Sequence, residues 1–460
     1  LSEDDGDDNC AAQGCAAGDR VASWLPKTRL ACILPLAVSR AGLVHVPINP
    51  ALRRAQVAHI LADSGAGLLV TQAAREATLE PGDAGGCRIV AENDVSMTGA
   101  RVAPSAADPD SLAAILYTSG TTGRPKGVML SHANLWLGAV SVAHYLRIVP
   151  DDRVLVVLPL SFDYGQNQLL SSWYAGASVA PLDYLTARDV VKAVERVGAT
   201  TIAGVPPLWV QLLEAEWPPA TAGRVKRLTN SGGALTARLV RDLRARFATA
   251  EIYAMYGLTE AFRSTYLEPA LIDTHPDAMG TAIPFAEVLA VKPDGTRVIG
   301  EPGELVHAGP LVAQGYWRDE ERTSQRFRPA PDFAMHDGMA VWSGDTVIEG
   351  EDGLFRFVGR DDEMIKSAGN RISPREIEDA VLAGDEAREA VAIGVPDPRL
   401  GQHIVVVLAG DAVQEDDLRT RLRAILPSFM QPARYDWRTK LPRNANGKLD
   451  RAALRREVCA

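Results

Sequence analysis

Chemistry is densest in one run of the chain, Tyr117 to Gly127, which reads Tyr-Thr-Ser-Gly-Thr-Thr-Gly-Arg-Pro-Lys-Gly. Its three glycines, Gly120, Gly123 and Gly127, let the backbone approach a ligand closely. Successive N–H groups in such a loop form a nest for an anion. Thr118, Ser119, Thr121 and Thr122 add hydroxyl donors, and Lys126 adds a compact cation. Together they suit a polyphosphate. No Gly-Lys-Ser or Gly-Lys-Thr follows at P-loop spacing, so the cradle is of another kind.

The run resembles the phosphate loop of the AMP-forming adenylating enzymes, the superfamily of acyl-CoA synthetases, luciferases and peptide-synthetase adenylation domains. Further strings recur in that family's order over nearly the whole chain. The resemblance implies ATP-dependent activation of a carboxylic acid to an acyl-AMP with release of pyrophosphate, then transfer to a thiol. ATP, Mg2+ and an acceptor follow from it, the acceptor being CoA or phosphopantetheine on a carrier protein. Glu260, in Met-Tyr-Gly-Leu-Thr-Glu, matches the residue that holds magnesium, Thr259 a phosphate contact and Tyr256 the ring beside adenine, with Gly257 between them. Gly233 and Ala234, in Ser-Gly-Gly-Ala, match the turn beside the base. Asp345 matches the carboxylate that accepts both ribose hydroxyls, a task two acceptor oxygens suit. Taken alone, Asp345 also reads as a turn residue after Gly344. Arg360 matches a ribose and phosphate contact, and Arg371 a phosphate contact in a second pose. Gly303-Glu-Leu resembles a structural motif and is assigned to packing. Lys448, closing Leu-Pro-Arg-Asn-Ala-Asn-Gly-Lys, matches the catalytic lysine, a cation worth most in a dry site. Asp362 matches the hinge about which the family's small domain swings, and Gly369 the segment that guides the thiol.

The segment Leu158 to Gly165 occupies the family's acyl-pocket position. Phe162-Asp163 resembles the Phe-Asp of amino-acid-activating domains, whose Asp pairs with the substrate ammonium; a helix-capping Asp is the plainer reading. The pocket expectation covers Asp163, Tyr164, Asn167, Trp209, Thr229, Ser231, Met255, Arg263 and Ser264. Arg263 could meet a second carboxylate on the substrate, or pair with Asp163 in an empty site. The strings around Asp163, Ser231 and Glu260 look most like the AMP-forming acyl-CoA ligase associated with the exosortase A system. An acyl-CoA ligase is therefore the leading expectation. Amino-acid adenylation with carrier-protein loading is the alternative, and a non-catalytic nucleotide-binding relative the second.

These residues need elements to hold them. Leu112 to Leu116 reads as a strand feeding the phosphate loop. Helices are expected over Arg29–Arg40, Arg53–Asp63 and Thr186–Val197, and strands over Leu43–Ile48, Gly67–Thr71, Val154–Leu158 and Thr200–Gly204. The alternation predicts an α/β protein: a large N-terminal domain of layered subdomains with mostly parallel sheets. Pro329 to Phe333 reads as an exposed loop. The expected division is 1–359 for the AMP-binding domain, 360–362 for the hinge and 363–460 for a small mobile α+β domain. In that small domain, Ser373 to Glu376 has the spacing of a capping box with Pro374 at the first helical position. Its helix reaches about Ala383. Strands Ala390–Val395 and His403–Leu408 follow, then a helix from Glu415 to Leu426.

Composition bounds the rest. The chain has 460 residues, 47% hydrophobic and 23% charged, as ordinary globular proteins do. A net charge of −10 argues against non-specific nucleic-acid binding. No apolar run of 18 residues suggests a membrane span. Five scattered cysteines and eight dispersed histidines complete no zinc pattern, and the cysteines read as free thiols in a reducing, cytoplasmic setting. The acidic opening and the absence of a few dozen residues that relatives carry suggest N-terminal truncation.

Overall fold

The structure is a computed structural model that describes residues 14–96, 107–118, 125–360, 363–367, 370–397, 400–426, 430–444 and 447–459. Two sheets dominate the large domain. The first has six strands, ordered Arg88–Ala91, Leu68–Thr71, Arg20–Trp24, Val44–Pro47, Leu112–Thr118 and Lys126–Ser131. All its pairings are parallel except the last, which is an antiparallel hairpin with Thr118 opposite Lys126. Both ends of the polyphosphate run are thereby fixed side by side on one ladder.

The second sheet has twelve strands. Its parallel half runs through Ser178–Pro181, Arg153–Val156, Thr201–Gly204, Arg227–Asn230 and Glu251–Tyr256. Strands buried on both faces become short apolar runs, as those of Val154 and Ile202 are. Beyond Tyr256 the pairing turns antiparallel, through Thr265–Tyr266, Ala278–Ala282 and Phe355–Arg360 to Met339–Glu349 and Pro302–Ala308. Gly303 sits where an added Cβ would meet the Val291 nitrogen, and Glu304 accepts from the Gly344 N–H, in keeping with a packing role.

The helices begin and end on local signals. Thr28 caps Arg29–Arg40, Ser131 and Asn134 box the start of His132–Tyr145, and Thr186 with Asp189 boxes Ala187–Val197. Gly65 and Gly198 end their helices in the left-handed region. Pro329 belongs to a short strand, Phe327–Pro329, hydrogen-bonded to Met339–Glu349; the loop follows it.

The C-terminal part has its own cores. Strands Ala387–Asp397 and Gly401–Gly410 pair antiparallel, and a third strand, Arg434–Arg438, lies parallel to the second. That strand, the closing helix Arg451–Cys459 and the hairpin Ile365–Ser367 with Asn370–Ile372 are elements the sequence pattern does not announce. Arg434–Arg438 is polar and half-exposed, so it shows no apolar alternation. The capping box at Ser373 is corrected. Ser373 does precede the helix Pro374–Leu382, but its hydroxyl donates to the Val358 carbonyl instead of the helix N-terminus. Among the described residues, Cys15, Cys32, Cys87 and Cys459 are free, and no helix is long and apolar enough to cross a membrane.

Candidate active site

The phosphate side is built on the hairpin. Thr118 lines the cleft between the two domains with its hydroxyl buried and unpartnered. Ser119, Gly120, Thr121, Thr122 and Gly123 lie outside the described residues. Across the ladder, the Lys126 Nζ donates to Glu260 Oε1 at 3.0 Å and to the Tyr316 hydroxyl at 2.7 Å. Tyr316 in turn donates to the same Glu260 oxygen at 2.6 Å. The backbone enforces this triangle: Trp317 N–H donates to the Gly127 carbonyl, and Ala313 N–H to the Glu260 carbonyl. Burial would push the Glu260 carboxyl up; Lys126, the Tyr316 hydroxyl and Arg326 outweigh it and hold it at about 2. Burial also draws the Lys126 ammonium below its ordinary value, against the pull of Glu260. Tyr316 was missed by sequence reasoning. Gly315 before it is held at φ +119°, where an added Cβ would strike Thr323.

The ribose side forms where the second sheet changes direction. The strand register sets Asp345 opposite Arg360, and Arg360 Nε lies 2.8 Å from Asp345 Oδ1. Tyr256, last residue of its strand, donates its hydroxyl to Asp345 Oδ2. The strands ending at Asn230 and Tyr256 deliver Ser231 and Gly257 beside it, at the carboxyl edge where open α/β sheets bind ligands. Gly257 packs so closely on Arg263 that an added Cβ would lie 2.9 Å from its Cα.

Lys448 reaches this edge from the small domain. It sits on a turn in which Asn444 accepts from the Lys448 N–H at 3.1 Å and Gly447 adopts φ +77°. Its side chain lies over Gly232, where an added Cβ would come within 2.6 Å of Lys448 Cε. Burial lowers the ammonium's pKa; Asp163 opposes that shift, and Arg263 and Arg360 reinforce it. A cleft of about 1670 Å3 between the domains is lined by Thr118, Gly233, Ala234, Arg360 and Lys448.

The acyl side lies beneath. Asp163 is the first residue of the helix Asp163–Tyr174 and makes no cap; its carboxylate pairs with Arg263 at 3.0 Å. Both are buried, at 5% and 2% side-chain exposure. A tight turn aims the arginine: Phe262 has φ 63° and ψ −62°, and the Arg263 N–H donates to the Ala261 carbonyl at 2.7 Å. This is the rare, non-inverse γ-turn, a strained conformation of the sort that collects at functional sites. Arg263 then lies 4.5 Å over the Tyr164 ring. Tyr164 donates to the Thr229 carbonyl, and Tyr145 donates to the Met255 sulfur. Thr259 reaches the far oxygen of Asp163 at 3.4 Å and so joins the two halves of the site.

Tyr164, Asn167, Thr229, Met255 and Arg263 therefore come together around one small cavity. Asp163, paired with Arg263, and three more expected pocket residues stand apart from its lining. Trp209 is fully buried against Gly204 and donates to Asn230, because its helix turns it into the core. Ser264 is bonded to His307 at 3.0 Å on the far side of the turn. Ser231 is buried next to the Gly232 seat. Asp362 and Gly369 lie outside the described residues, as does the side chain of Arg371.

The chain resembles known proteins over nearly its whole length. Residues 11–317 match the model of the AMP-binding enzyme family, and residues 376–448 match that of the AMP-binding enzyme C-terminal domain. The chain is 32% identical to L-proline--[L-prolyl-carrier protein] ligase of Pseudomonas fluorescens, over 97% of this chain and 91% of that protein. It is 31% identical to feruloyl-CoA synthase of an Amycolatopsis species, over 97% and 90%. It also matches a linear gramicidin synthase of Brevibacillus parabrevis at 31% identity, over 96% of this chain but only 6% of that much longer protein. Among solved structures, ATP-bound MatB from Rhodopseudomonas palustris superposes with a TM-score of 0.87 at 28% identity, covering 97% of this chain and 90% of that one.

Proposed function

The chain belongs to the AMP-binding enzyme family and is an adenylate-forming acid–thiol ligase; on that premise we propose that it couples a small carboxylic acid to CoA by way of an acyl-AMP. The observation that carries this reading is the seat of Lys448. One buried cation from the small domain meets, on Gly232, the edge that also presents Asp345, Arg360 and the acyl pocket.

In the first half-reaction a carboxylate oxygen attacks the α-phosphorus of ATP in line, and the bond to the β-phosphate bridge breaks, releasing pyrophosphate. Asp345 holds the ribose side, Tyr256 donates to it and offers its ring to adenine, while Thr118 and Lys126 meet phosphate oxygens. Lys448 lies between the reacting carboxylate and the forming acyl-phosphate, and its charge counts most because the seat is dry. In the second half-reaction the acceptor thiol attacks the acyl carbon and AMP leaves with the phosphate oxygen. The hinge at Asp362 and the Gly369 segment would serve a swing of the small domain between the two steps.

Magnesium fits the residues present. Among the described residues no cluster of three His, Cys, Asp or Glu could cage a metal alone. A buried carboxylate held charged, as Glu260 is, suits an ion shared with nucleotide phosphates. When bound, the ion would neutralise charge on the leaving pyrophosphate. Lys126 and Tyr316 keep Glu260 aimed at that place.

Amino-acid loading onto a carrier protein is the second reading, supported by Asp163 and by the proline-activating relative. The strings around Asp163, Ser231 and Glu260 support the exosortase A-associated subgroup, and an ATP- and CoA-using ligase suits the cytoplasm. The test is ATP–pyrophosphate exchange, followed by product capture on CoA or on a phosphopantetheinylated carrier protein. Lys448→Ala should lower exchange by roughly 10²–10³ while nucleotide binding persists. Equal exchange in mutant and parent would remove Lys448 from the mechanism. Thioester on the carrier alone would replace the CoA reading by the second one.

A further inference from the structure

Tyr164, Asn167 and Arg263 border a cavity of about 20 Å3, room for one water-sized group. Three buried polar atoms of its lining residues lack a partner, two donors and one acceptor, Gln168 Oε1. Asn167 Nδ2 and Arg263 Nε are both buried and unpartnered, in residues that are only 2% exposed. A buried donor without an acceptor is costly, so a place that keeps two of them is built for something that accepts. The guanidinium is immobilised on three sides. Asp163 pairs with it at 3.0 Å, the Tyr164 ring lies beneath it, and the γ-turn at Phe262 fixes its root.

We propose that this cavity takes a distal oxygen of the substrate, so that the acid activated is a short one carrying a second carboxylate or a carbonyl at its far end. The proposal rests on the activation reading above and names its substrate class. The balance of charge supports it. The described pocket presents two cations, Lys448 and Arg263, against one anion, Asp163. The reacting carboxylate answers Lys448. A distal oxygen then answers Arg263 Nε and Asn167. A substrate ammonium in its place would bring a third cation and would have to take Asp163 away from Arg263, leaving a buried guanidinium unpaired. Asp163 is thus a positioning residue for the arginine, and the apolar walls of Val142, Leu146 and Ile148 limit chain length.

The test is ATP–pyrophosphate exchange by the full chain with magnesium, using acids matched in length. Succinate and glutarate stand for the distal oxygen, butyrate and valerate for its absence, and alanine and 4-aminobutyrate for an ammonium. The expected result is a kcat/KM for one diacid about 10- to 100-fold above its matched monoacid, the worth of satisfying one or two buried donors. Asn167→Asp, nearly isosteric, replaces a donor by an acceptor and should lower the diacid kcat/KM about 10-fold or more beyond any change with the matched monoacid, erasing that preference. Exchange led by the amino acids or the monoacids overturns the proposal and leaves activation standing. A variant that lowers exchange equally with every acid also overturns it, since a purely structural role would do that. Silence with every acid, with ATP still bound, overturns activation and the proposal together.

Discussion

Two buried ion pairs are anchored three positions apart, at Glu260 and Arg263, and do opposite work. Lys126–Glu260 lies on the phosphate side, with the lysine 20% exposed, and shares its charge with the Tyr316 hydroxyl. Arg263–Asp163 lies on the acyl side, nearly sealed from solvent. On the proposed function the first pair is exchangeable: a phosphate would replace Glu260 for the lysine, and a metal would replace Lys126 for the glutamate. The second holds one arginine in one pose. Burial distinguishes a pair that waits for ligand from a pair that shapes a wall.

Mutation should separate them. Arg263→Met leaves Asp163 charged and buried, and should cost about 3–5 kcal/mol of stability in urea unfolding, most of it regained by adding Asp163→Leu. A cost no larger than a surface substitution would show the pair to be as replaceable as the other. Glu260 should next reveal itself through pH. Its folded carboxyl at about 2 lies below the ordinary 4.5, so its contribution is present above pH 4.5 and is lost as pH falls from there toward 2. Glu260→Gln should flatten that stretch of the acid-unfolding curve and lower exchange roughly 10²-fold. An unchanged acid limb would contradict the charged state assigned to it. The smallest effect belongs to Tyr316→Phe, which removes two hydrogen bonds, one to Glu260 and one from Lys126, each worth about 1 kcal/mol. It should raise the magnesium needed for half-maximal exchange several-fold with little change in the KM of the acid. A uniform fall in kcat without that shift would make Tyr316 a packing residue.

The nucleotide side was the more legible from sequence. Its residues come in contiguous strings whose chemistry is local: a Gly-rich nest, a carboxylate for a diol, a lysine after Asn-Ala-Asn-Gly. The acyl pocket was read as a set of positions, and five of them do meet at one cavity. Trp209 and Ser264 do not line it, because which face of a helix or turn points inward depends on packing partners distant in sequence, Asn230 and His307 here. Tyr316 was invisible for the same reason. Nothing in Gly-Tyr-Trp shows that a backbone bridge to Val128 will set the phenol between Lys126 and Glu260. Among the elements, α/β alternation in the large domain was plain, while the polar strand Arg434–Arg438 was not.

Gly232 gives the molecule an asymmetry that an experimenter can exploit. At φ +76°, with Lys448 Cε where a methyl would go, it is a berth rather than a hinge or a loop tip. Enlarging it would crowd the lysine out of its seat. An enzyme with the berth filled should make its own adenylate far more slowly, yet still consume one supplied from outside. One missing side chain therefore acts as a valve between the two half-reactions, and closing it would allow the thiol-transfer step to be timed by itself.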